Sequence, residues 1–273
     1  MNLDAYLKLL ANDVSAPVDV AEVALLLARD EYPLLDVEAY LCELNALAHE
    51  ARRYVRGNLA SRTHGLCRYL FHEMGFRGNV QNYYDPRNSY LNQVLDRRTG
   101  IPITLSVVTL AVAGRAGLPV VGVGLPGHFI VKAVTANEEV LFDPFHGGMV
   151  LTPEGCSHLV ERATGTPFQA SAEQLSATPP GDIVVRMLSN LKNIYLKDGD
   201  YARAVRIVER LLQLQPHDPR QRRDLGLCLL QAGQPGPAID HLSAYLDVAG
   251  DEGDVPVVEK MLQQAQCEVA RWN

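Results

Sequence analysis

Residues 88–119 read NSYLNQVLDRRTGIPITLSVVTLAVAGRAGLP, residues 124–133 read GLPGHFIVKA, and residues 141–148 read LFDPFHGG. These three segments decide the fold. Pro102 suits the first turn of a helix, where its missing N–H costs nothing and its fixed φ is already helical. The segment that follows carries Ile103, Leu105, Val107, Val108, Leu110 and Val112, apolar on nearly every side. A helix of that kind is buried. Gly117-Leu118-Pro119 ends it. Val120–Gly124, Phe129–Val134 and Val140–Phe142 are short β-branched or aromatic runs and read as strands. His128 starts one strand and Asp143 ends another. The expectation is an antiparallel sheet wrapped around a buried central helix, an α+β domain.

Toward the N-terminus the chain reads as helical over residues 1–80. Val20–Arg29 and Val37–Val55 place apolar residues at helical spacing, Leu41, Leu44, Leu47 and Ala48 among them. Glu31-Tyr32-Pro33 separates the two, because a proline disfavours helix in the residue before it. Leu66–Met74 is a further short helix ended by Gly75. Asn79–Asn88, NVQNYYDPRN, is a polar and aromatic loop with a turn at Asp85-Pro86. Residues 151–180 form a connecting segment with some helix. One domain is thus expected over 1–180, with a helical part at 1–80 and a core at 81–150.

From residue 181 the pattern changes to helix with an internal repeat. Gly199 and Gly233 are 34 apart, as are Leu191 and Leu225, and Ala204 and Ala238. A period of 34 resembles the tetratricopeptide repeat, with a Gly between two helices, a small Ala on the second and Pro216 at the end. Two units do not close a core alone. Val255–Ala270 is expected to cap them, giving an all-α second domain over 181–273.

Composition is that of a globular protein, 47% hydrophobic and 21% charged in 273 residues. A net charge of −7 gives no footprint for nucleic acid. No apolar run approaches the ~20 residues of a membrane span. Cys42, Cys67, Cys156, Cys228 and Cys267 are scattered without a Cys-x-x-Cys pair, which fits a reducing cytoplasm. Neither a phosphate-cradling glycine pattern nor any other cofactor motif is present, so no cofactor is expected.

The order of helix, His on a strand and Asp on the next strand resembles the transglutaminase-like branch of the papain-type fold. With GFRGNVQNYYDPRNSYLNQVLDRRTGIPITLS, GLPGHFIVKA, LFDPFHGG, LLLARDEYPLLD and the repeats, the chain resembles a family of bacterial transglutaminase-like proteins with C-terminal tetratricopeptide repeats. Some members carry a Sir-type regulator label. In active relatives a cysteine at the start of the central helix attacks an amide carbonyl, His moves the proton, and Asp orients the His. The resemblance makes His128 and Asp143 the remnants of that triad. Counted back from Gly117-Leu118-Pro119, the place of the cysteine is taken by Pro102. Proline supplies neither a thiol nor an N–H for the oxyanion.

Other nucleophiles fit poorly. Ser106 lies one turn beyond Pro102, displaced by about 6 Å along the axis, and a serine in a buried helix tends to bond a backbone carbonyl. Thr104 points to a different face, and Cys67 lies on an earlier helix. His128 and Asp143 are therefore either a buried structural pair or the polar floor of a ligand groove. A third possibility adds His146, three residues after Asp143, as a nitrogen ligand for a cation. Tyr84, Asn88, Tyr90, Arg98 and Pro102 are candidate binding residues, the aromatic loop being suited to a peptide. Two function classes follow. One is a non-catalytic module that binds a protein or peptide through groove and repeats. The other is a hydrolase or amide-bond transferase that uses Ser106 or a metal at His128, Asp143 and His146.

Overall fold

The computed structural model describes residues 1–250 and 252–271. It divides into two compact units, one of residues 1–3 and 14–187, the other of residues 4–13 and 188 onward. Helix α1 (Leu3–Asn12) falls almost wholly in the second unit, where Asp4 pairs with Arg210 at 2.9 Å.

In the first unit, α2 (Val20–Ala28), α3 (Val37–Ala51) and α4 (Leu59–Cys67) each begin at a capping side chain. Asp19, Asp36 and Asn58 accept backbone N–H groups of the first turn, which have no partner within the helix. Helix α4 starts well before the Leu66 expected from periodicity, and a π-helical turn over Arg68–Glu73 continues it. The early start was hidden because LASRTHGLC carries Gly65 and few apolar residues. Gly65 is there for packing: a Cβ on it would stand 2.0 Å from the Tyr54 carbonyl oxygen. Helix α5 (Leu91–Arg97) and the two-residue parallel pair β1 (Arg77–Gly78) and β2 (Thr99–Gly100) were not anticipated either. Elements this short carry too few residues to show a period.

The central helix α6 (Pro102–Ala116) is buried as its composition requires, from Pro102 through Thr109 and again at Ala111, Val112 and Ala113. Ile101 is extended at φ −97°, ψ 169°, as a residue before proline must be, and its N–H donates to Thr104 Oγ1 at 3.1 Å. Gly117 ends the helix in the left-handed conformation at φ 85°. Beside it lies an antiparallel sheet in the order β3 (Val120–Leu125), β4 (His128–Val134), β5 (Glu139–Asp143) and β6 (Met149–Leu151). Register pairs Leu125 with His128, Val131 with Phe142, and Asp143 with Met149. Phe129, Val131, Ala133 and Phe142 join the core around α6. Val123, Leu125, Ile130 and Leu141 join a second cluster with Cys156 and Val160 of α7 (Pro153–Thr164). Each sheet face is therefore covered, and the expected α+β architecture holds.

Helix α8 (Pro180–Asp198) lends its first residues to the first unit and the rest to the second. In the second unit α9 (Tyr201–Leu214), α10 (Pro219–Gln231), α11 (Pro235–Leu246) and α12 (Val255–Ala270) complete an all-helical array. Gly199 and Gly233 both take positive φ between helices, and Ala204 and Ala238 are fully buried, so the period of 34 is a structural period. Among the described residues no helix is long and apolar enough to cross a membrane.

Candidate functional site

A groove of about 620 Å³ lies where the start of α6 meets the ends of β4 and β5. Tyr83, Tyr84, Pro102, His128, Phe145, His146 and Arg162 line it. Proline at the first helical turn places Pro102 in its wall. Gly127, at φ 69°, turns the chain between β3 and β4 and presents His128 as the first residue of β4. Arg186 holds that turn from α8, donating to the carbonyls of Leu125 at 2.7 Å and His128 at 2.5 Å, with its guanidinium over the Phe129 ring.

Asp143 closes the site from the end of β5, with no exposed surface. Its Oδ1 accepts the Phe145 N–H at 2.9 Å. Its Oδ2 accepts from His128 Nε2 at 2.8 Å and from His146 Nδ1 at 2.7 Å. The two imidazole rings stack 5.8 Å apart at 26°. Burial pushes the Asp143 carboxyl up, but the hydrogen bonds from His128 and His146 outweigh it and hold the group at about 2. The Asp143 bond raises the pKa of His146, against burial and the nearby charge of Arg162. One buried carboxylate thus orients two imidazoles.

The remaining candidates separate into those at the groove and those away from it. Tyr84 is exposed at the groove rim, edge-on to Tyr83. Asn88 is buried and serves the loop: its Nδ2 donates to the carbonyls of Asn82 and Tyr83, and its Oδ1 accepts from Asn79. It shapes the segment that carries the two tyrosines. Tyr90 packs edge-on against Tyr32, 5.4 Å between ring centres. Arg98 does not line the groove: it pairs with Glu43 at 2.9 Å and lies over the Phe76 ring. Its left-handed backbone at φ 53° ends α5. Arg97, its neighbour, is the one that reaches Asp85, at 3.6 Å.

Ser106 is fully buried and does not line the groove. Its Oγ has no hydrogen-bond partner among the described residues, contrary to the carbonyl bond expected of it. Thr104 takes the structural role instead, donating to the Asn88 carbonyl at 2.7 Å. Cys67 is buried, and burial pushes its thiol up to about 12. Phe145 and Arg162 were missed. Phe145 sits within the quoted LFDPFHGG, but Arg162, on α7, had no sequence signal at all.

A His–Asp pair thus stands at the end of the sheet, in the groove that the start of the buried helix also lines. The model of the transglutaminase-like superfamily matches residues 38–189, and a tetratricopeptide repeat model matches residues 191–263. A UPF0162 protein of Xylella fastidiosa strain Temecula1 is 39% identical over 247 residues, covering 86% of this chain and 85% of the relative. A UPF0162 protein of Pseudomonas aeruginosa is 31% identical over 202 residues, covering 73% of each. Human F-box only protein 21 is 30% identical over 138 residues, which is 48% of this chain and 21% of that protein. No solved structure matches the chain. On the match to more than half of its length and on the two UPF0162 relatives, covered over 85% and 73% of their own length, the chain belongs to the transglutaminase-like superfamily, in a form that continues into tetratricopeptide repeats.

Proposed function

We propose that this protein is a non-catalytic transglutaminase-like module that binds a protein or peptide segment, with a regulatory role in the cytoplasm. The groove takes an extended segment between Tyr83, Tyr84 and Phe145, over the polar floor of His128 and His146. The repeats supply a second, helical surface of the kind used for protein contacts. Five free cysteines and the absence of any disulfide among the described residues support a reducing compartment.

One observation carries the reading. Pro102 opens α6 and lines the same groove as His128, and the resemblance assigns to it the position of the family nucleophile. It removes the thiol and an oxyanion N–H together, and one such donor alone is worth ~2.7–4 kcal/mol of transition-state stabilisation. The alternative, a hydrolase or amide-bond transferase, draws support from the unpartnered Ser106 hydroxyl. Full burial outside the groove weighs against it.

The test is an amidase and crosslinking assay on wild type, Pro102→Cys and His128→Ala, with fluorophosphonate and iodoacetamide labelling mapped by mass spectrometry. Wild type should be inert, and thiol-dependent chemistry should appear only with Pro102→Cys. Robust amide turnover by wild type that His128→Ala abolishes would sink the proposal.

A further inference from the structure

Two imidazole nitrogens and a carboxylate oxygen converge at the groove: His128 Nε2, Asp143 Oδ2 and His146 Nδ1 all lie within 4.8 Å of one another. We infer that these three atoms form a binding site for a divalent transition metal of the zinc class, with its fourth position open to the groove. The donor set points to that class. Imidazole suits zinc, copper, iron and nickel, while calcium and magnesium call for a shell of oxygens. Three protein ligands plus one open position is the pattern of a zinc site that accepts a water or an incoming ligand.

The support around the donors is that of a metal ligand set. The Phe145 N–H holds Asp143 Oδ1, so Oδ2 is aimed at both histidines and cannot rotate away. Such outer contacts orient ligands and tune metal affinity. His128 and Asp143 are buried. His146 keeps 42% of its side chain exposed and is the ligand free to adjust. That freedom is needed, because the 2.7 and 2.8 Å contacts to Oδ2 are hydrogen bonds. Metal–nitrogen bonds of about 2.0–2.1 Å require the two rings to open around the ion.

The proton balance closes without any redox step. In the metal-free site each ring donates its N–H to Oδ2. On binding, His128 carries its proton on Nδ1 and His146 on Nε2, and the freed nitrogens donate their lone pairs to the metal. A ring that is charged before binding releases one proton to solvent as its nitrogen becomes a ligand. The open position then faces Tyr83, Tyr84 and Phe145, a setting for a water or for a carboxylate of a bound peptide.

The inference stands apart from the non-catalytic reading, since metal binding is measured without a partner and without an amide substrate. The experiment titrates tag-free, full-length, metal-stripped protein with cobalt(II) chloride, followed by visible absorption, and then with zinc chloride by calorimetry. The expected result is saturation at one ion per chain, with d–d bands and no near-ultraviolet thiolate charge-transfer band. His146→Ala should weaken binding by at least ~10-fold, the scale of loss seen even for outer-shell changes at metal sites. Because the exposed His146 is not a core residue, its variant should keep the wild-type circular dichroism. A double Cys42→Ser, Cys267→Ser variant should bind as wild type does. Absence of saturable binding, a thiolate band, or an unchanged affinity in folded His146→Ala would each overturn the inference.

Discussion

Gly148 lies against Cys67: a Cβ on the glycine would stand 2.6 Å from the cysteine Cβ and 2.7 Å from its Sγ. Gly148 also holds φ at +79°, which side chains rarely adopt. Its N–H donates to the Asp143 carbonyl at 2.8 Å, closing the loop that carries His146. The end of α4 and the loop after β5 therefore pack backbone to side chain, with no room for a methyl group. Gly148→Ala should destabilise the protein by about 1–3 kcal/mol, the scale of overpacking a tight site. Urea denaturation checks this, and an unchanged midpoint would contradict the packing described.

The cysteines should differ sharply in reactivity. Burial pushes the thiol of Cys67 up to about 12, and burial with nearby carboxylates pushes Cys156 and Cys228 up to about 11. Only the thiolate reacts, so these three should be inert in the native state. Cys42 and Cys267 are exposed. Iodoacetamide at neutral pH should modify those two first, with the other three appearing only after denaturation. Native labelling of Cys67 would point instead to an accessible thiol near the loop of His146.

In the repeats, Ala204 on α9 is fully buried and occupies the small-residue position of the 34-residue period. Ala204→Leu adds volume where neighbouring helices meet. A loss of about 1–3 kcal/mol is expected, read as a lowered melting temperature of the full chain. Wild-type melting would show that the contact is looser than the burial indicates.

Two helix caps give a pH dependence with a defined sign. Asp200 accepts the Arg203 N–H at 3.1 Å and Asp218 the Arg220 N–H at 3.0 Å. Burial raises both carboxyls, but the cap bonds and the arginines outweigh it and leave them below the ordinary 3.8. A depressed folded pKa means the stabilisation is fully present above 3.8 and is lost as pH falls through the folded value. Asp200→Asn with Asp218→Asn keeps both acceptors without the charge, and should flatten the decline below 3.8. The matching alanine changes should cost about 0.5–2 kcal/mol per cap at neutral pH. Denaturation curves of the three proteins across the acid range decide the matter, and parallel curves would remove the caps from the account.

The sequence by itself determined the central helix, the three strands that follow it and the helical repeats. Each rests on a local period or composition: α6 is apolar on all sides, the strands are β-branched, and Gly199 and Gly233 punctuate helices at fixed spacing. The expectation for Pro102, His128 and Asp143 rested on the family resemblance that their order along those elements carries. Tertiary structure alone decided that His146 joins His128 on a single oxygen of Asp143, because two ring orientations and one buried carboxylate settle it. It alone sent Arg98 to Glu43 and turned Asn88 inward to hold the tyrosine loop. It also brought Arg162 from α7 to the groove, across a distance in sequence that no local pattern records. A period reports which face of an element is buried. Where a polar side chain finds its partner depends on which donors and acceptors the packed fold leaves within about 3 Å of it.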